Sequence, residues 1–167
     1  PALYWLNVMF VSVVGTLVTD LSTDQFGVQR WIMVIVFTVL MLATFYTWYH
    51  FEQTLSIHSI NTVRREAFYW LAVLFTFALG TAVGDGIAEG LNLGYWQALL
   101  VFLAAMAFPV ALYYLSLIGD VLAFWLVYII TRPVGASLGD LLASDKSEGG
   151  AGLGPGVTSC IFLALIF

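Results

Sequence analysis

"YWLAVLFTFALGTAVGDGIAE" (69–89) decides the fold, because the chain carries three versions of it. Aligned without a gap to "YWLNVMFVSVVGTLVTDLSTD" (4–24), it has nine identities in 21 positions, and "FWLVYIITRPVGASLGDLLAS" (124–144) falls into the same register. Trp5, Trp70 and Trp125 are each followed ten residues on by a glycine (Gly15, Gly80, Gly135) and fifteen on by an aspartate (Asp20, Asp85, Asp140). Self-similarity of this kind marks a repeat architecture. Spacings of 65 and 55 residues leave room for two helices per unit. A unit with an even number of spans keeps its orientation, so all three aspartates are expected at one side of a membrane.

The surroundings of each copy are apolar. Hydrophobic residues make up 62% of the 167 and charged residues only 9%, against about 25% charged in a soluble domain. Segments 1–19, 31–49, 67–84 and 90–119 carry no charge, 121–139 carries only Arg132, and 157–167 begins another apolar run. A helix needs about 20 apolar residues to cross the hydrocarbon core. The spacing predicts an all-α membrane protein, a polytopic bundle of parallel two-helix repeats with five full spans and the start of a sixth. The units are 1–66, 67–120 and an incomplete 121–167 with a Gly-rich loop at 143–156. All six tryptophans lie near span ends, where indole rings settle at headgroup level, and Pro109 is expected to kink the fourth span. Arg64 and Arg65 favour a cytoplasmic connection between spans two and three.

Much is excluded. A net charge of −5 offers no basic face for nucleic acid. Cys160 is alone, so disulfides and cysteine-rich metal sites are ruled out. No Ser-His-Asp order, nucleotide fingerprint or zinc-hydrolase motif occurs, so an enzyme is not expected. Pro1 is not an initiator and the chain stops inside an apolar run, so it reads as an excerpt.

The chemistry-bearing residues recur with the repeat. Positions i, i+4 and i+8 share a helix face, which gathers Thr81, Asp85 and Glu89, and likewise Thr16, Asp20 and Asp24. In the third copy the set is Ala136, Asp140 and Ser144. A second stripe holds Gly80 and Gly84, Gly135 and Gly139, and, in the first copy, Gly15 and Thr19; small residues at this spacing let helices approach closely in lipid. The bland reading makes the glycines packing notches and the acids markers of the helix end. The sharper one gathers Asp20, Asp85 and Asp140 around a shared axis as a cation or proton site, since an ionisable group within a membrane is a functional candidate by default. Carboxylate and threonine oxygens suit a proton or a divalent cation better than a soft metal. Arg132, the basic residue within a span, is placed to pair with Asp20 or Asp85 or to snorkel structurally. His50 and His58 flank Glu52, but without helical metal-ligand spacing they read as an interfacial loop. The sequence names no cofactor and no metal.

The stretch "LSIHSINTVRREAFYWLAVLFTFALGTAVGD" (55–85), with its Trp–Gly–Asp register, resembles a bacterial family of integral membrane proteins built from tandem two-helix repeats of unknown function. The resemblance covers nearly the whole chain. It implies a multi-pass protein of the bacterial inner membrane, and four repeats in a full member, of which an N-terminal one and the end of the last are missing here. It implies no chemistry. Two functions are carried forward: a cation- or proton-linked transporter centred on the repeat aspartates, and an accessory subunit packing against a larger membrane complex. Expected partners are membrane lipids, with other membrane subunits or further copies of the chain.

Overall fold

A computed structural model describes residues 2–90 and 94–166, with the side chains of residues 2, 88–90 and 148 outside the described set. The chain forms six α-helices: α1 (Ala2–Asp20), α2 (Arg30–Glu52), α3 (Val63–Gly90), α4 (Tyr95–Tyr114), α5 (Asp120–Ala143) and α6 (Gly154–Ile166). No strand occurs among the described residues. Five helices are long and apolar enough to cross a membrane, and α6, at 13 residues, is the sixth and shorter one. The protein is an all-α membrane bundle.

Local chemistry sets the helix ends. α2 stops where Gln53 takes a left-handed φ of 55°, its backbone N–H and side-chain amide both donating to the Tyr49 carbonyl. α4 starts after Gly94, whose N–H donates at 2.7 Å to Oε1 of Gln97 in the first turn. α5 carries Asp120 in its first turn, where the helix dipole favours an acid. Pro109 and Pro133 lie inside α4 and α5, and both helices continue through them, as membrane helices do when neighbours satisfy the freed carbonyl.

The core follows from which faces are apolar and small. α2 buries Met33, Phe37, Met41, Thr44 and Trp48, a single stripe at helical spacing. Met33, Phe37 and Met41 meet Ala78, Leu79 and Ala82 of α3. Trp48 meets Tyr69, Ala72 and Val73 of α3 and Trp125 of α5. Trp48 stacks on Phe68 at 6.4 Å and stands edge-on to Trp125 at 6.0 Å. So two of the six tryptophans are core residues rather than interfacial anchors, because helix pairing turns their faces inward; Trp5, Trp31 and Trp96 are exposed. α3 is the central helix, 56% buried along its span, against 11% for α1 and 17% for α5.

The repeat is visible in the packing. α2 lies along α3 as α4 lies along α5, and α1 packs on α3 as α3 packs on α5. A Cβ placed on Gly15 would meet Phe77 Cβ at 3.1 Å, the Ala78 nitrogen at 3.2 Å and the Leu74 carbonyl at 3.4 Å. One repeat later, a Cβ on Gly80 would meet Arg132 Cβ at 2.7 Å and the Ile129 carbonyl at 3.3 Å, and one on Gly84 would meet Pro133 Cβ at 3.2 Å. Residues 74, 77 and 78 correspond in register to 129, 132 and 133, so one interface is used twice. Thr19 stands where the second copy has Gly84; its buried hydroxyl donates to Gly15 O at 3.1 Å in its own helix and lies 3.3 Å from Ala78 O across the contact.

The third glycine breaks the series. Gly135 is exposed, with nothing within 4 Å of a Cβ, and Gly139 touches only Phe162 of α6, at 3.9 Å. The expected packing role fails at Gly135 because no described helix occupies the corresponding side of α5.

Candidate functional site

α1, α3 and α5 bring their equivalent turns together around Arg132. Arg132 sits seven residues after Trp125, the register position of Ser12 and Phe77. From α5 its Nε donates to Thr81 Oγ1 of α3 at 3.3 Å, and its Nη2 donates to Thr16 Oγ1 of α1. Each threonine hydroxyl in turn donates to its own helix, Thr16 to Ser12 O at 3.1 Å and Thr81 to Phe77 O at 3.0 Å. Their lone pairs are thereby aimed at the guanidinium. The guanidinium carbon also lies 5.7 Å from the centre of the Phe77 ring, a cation–π contact. Arg132 is partly buried, and a charge at this depth is costly without such partners.

The carboxylates of Asp85, Asp20 and Asp140 all lie within electrostatic reach of Arg132. No direct ion pair joins them to it among the described residues: the threonines stand where a carboxylate was expected. Asp85 instead meets Arg30, at the start of α2, at 3.6 Å, with its side chain 41% exposed. Asp20 is half-buried and Asp140 exposed. Asp140 departs from the inward-facing position expected of all three.

α1 runs on into a π-helical turn over Leu21–Gln25. Asp24, on that turn, is exposed, with Thr23 Oγ1 3.3 Å from its Oδ1, as expected of an acid one turn nearer water than Asp20. The side chain of Glu89 lies outside the described residues. Among the described residues no three His, Cys, Asp or Glu side chains form a group able to hold a metal ion.

At the other end of the bundle Glu52 is fully engaged. Its two oxygens accept from Arg64 Nε and Arg65 Nε, each at 2.5 Å, and its side chain is only 6% exposed. Arg65 also donates to Ser59 O at 2.7 Å, and Trp125 Nε1 to Leu55 O at 3.2 Å, so the connection between α2 and α3 is tied down. Glu52 is thus part of a structural ion-pair corner with Arg64 and Arg65.

Sequence reasoning missed Arg30 and the Thr16–Arg132–Thr81 bridge. A signal for the second existed. The third copy has Ala136 where the others have Thr16 and Thr81, and it alone has an arginine four residues earlier.

No curated protein and no solved structure matches the chain. A family model does match, three times in tandem, over residues 3–54, 68–118 and 123–167. With nearly the whole sequence covered by these repeats, the chain belongs to the family described as Repeat of Unknown Function (DUF347).

Proposed function

We propose that this chain is a multi-pass transporter of the bacterial inner membrane, not an enzyme, and that its cycle is linked to a proton through Asp20, Asp85 and Asp140. The observation that carries this reading is Arg132, held by threonines from the other two repeats with three repeat-related carboxylates in reach. In a water-poor interior such charges interact several times more strongly than in bulk water. One arginine cannot by itself neutralise three acids, and Asp85 also meets Arg30 at 3.6 Å. Carboxylates that share mobile counter-charges are groups on which a proton is exchanged as the arginines change partner.

The test is flux in sealed vesicles with an imposed pH gradient and an internal pH dye. The parent is expected to dissipate the gradient; Asp85→Asn, which keeps the shape and removes the charge, is expected to stop it while melting at the parent's temperature. Equal rates for both would sink the reading. The accessory-subunit alternative draws on the Gly135 face, where no described residue stands as Phe77 does at Gly15 and Arg132 at Gly80. Co-purification of the chain with other membrane subunits, together with no flux, would favour it.

A further inference from the structure

On the Trp-bearing side of Arg132, a cavity of about 330 Å³ opens between α1 and α5 with α3 at its back. Tyr4, Trp5, Phe77 and Tyr128 form its aromatic walls, and Arg132 and Gly135 line its end nearest the aspartates. Among the described residues that line it, Arg132 alone is charged. It is more enclosed than the larger depressions on the α4–α5 face, around Tyr113 and Asp120. Its size falls at the small end of ligand pockets, about 300–1,000 Å³.

We propose that this cavity binds a small monocarboxylate with an aromatic or apolar body, its carboxylate on the Arg132 guanidinium and its body among Tyr4, Trp5, Phe77 and Tyr128. The chemistry follows from the lining. A guanidinium presents five N–H donors in a planar fork that matches a carboxylate, and hydrogen bonds to Thr81 and Thr16 engage two of its nitrogens. Aromatic walls bury an apolar body and pack against a ring edge-on or offset. The open space above Gly135 leaves room beside the fork for the carboxylate. Asp20, Asp85 and Asp140 do not line the cavity, so the charge a ligand meets at its end is the guanidinium.

The same site explains how a proton is coupled, a step that rests on the transport reading. An arriving carboxylate adds one negative charge and draws the guanidinium toward itself, away from Asp20, Asp85 and Asp140. One proton bound from solution by one of those carboxylates restores the net charge. Ligand and proton then move together without net charge.

The probe is benzoate, titrated against the purified full chain in detergent and read by tryptophan fluorescence, since Trp5 lines the cavity. Saturable binding is expected, with no response to benzylammonium or benzyl alcohol at the same concentrations. Arg132→Gln should abolish it. Because that variant loses both threonine contacts and could fail to fold, Gly135→Leu is the second one. Its side chain enters open space, leaves Arg132's hydrogen bonds in place, and should melt like the parent while binding benzoate at least about tenfold more weakly, the scale of one lost charged hydrogen bond. No binding to the parent, an equal response to benzyl alcohol, or undiminished binding to a folded Gly135→Leu would each overturn the proposal. Saturable benzoate binding in a protein that moves no protons keeps the site and removes the transport reading. Proton flux that needs Asp85 in a protein blind to benzoate does the reverse.

Discussion

Gly80 and Gly135 occupy the same position in two copies of one motif, ten residues after a tryptophan and five before an aspartate. At Gly80 the backbone of α3 lies against Arg132 so closely that a methyl group would overlap it; at Gly135 a methyl group would touch nothing. The motif therefore encodes the ability to approach another helix, and the neighbour decides whether the ability is used. The carboxylates divide in the same way. Asp85, after the packed glycine, meets Arg30; Asp140, after the open one, is exposed.

Substitutions can break this contrast, and their effects should fall in a definite order. Gly80→Leu should be the most damaging, at about 3 kcal/mol or more, because overpacking at a backbone contact cannot be relieved by a rotamer change. A melting temperature in detergent equal to the parent's would mean that α3 and α5 do not touch there. Gly15→Ala should cost about 1 kcal/mol: the added methyl meets Phe77 Cβ and the Ala78 nitrogen, and that strain outweighs the gain in helix propensity. Thr19→Val removes the hydroxyl beside Ala78 O, and should cost about 0.6 kcal/mol, typical of an interhelical hydrogen bond in a membrane protein. Gly135→Ala should have the smallest effect and the opposite sign, raising stability by about 0.5 kcal/mol through helix propensity alone. A loss at Gly135 comparable with that at Gly15 would mean that a partner helix occupies the third notch.

The helices, their repeat and the small-residue stripe were legible in the sequence because each depends on local composition or on comparison of the chain with itself. Gly15 and Gly80 were readable as notches from their spacing alone. What fills each notch was not, because that depends on how α1, α3 and α5 are rotated about their axes. The partners of Arg132 illustrate the same limit. Asp140 lies eight residues away on the same helix and Thr16 lies 116 away, yet the bond goes to Thr16. Nothing in "LSTDQ" announces the π turn that follows α1, because that widening is set by neighbours and not by composition. Trp48 and Trp125 looked interfacial because they lie near span ends, and only the meeting of three helices turns them inward.

The Glu52 clamp has a mechanical consequence. By gripping both Arg64 and Arg65 it fixes one end of the α2–α3 pair, and Arg30 and Asp85 meet at 3.6 Å toward the other. From Arg65 to Asp85 α3 runs about 30 Å at 1.5 Å per residue, roughly the thickness of the hydrocarbon core. Two charged contacts that far apart leave the apolar stripe between them, Met33, Phe37 and Met41 on Ala78, Leu79 and Ala82, a single register in which to pack.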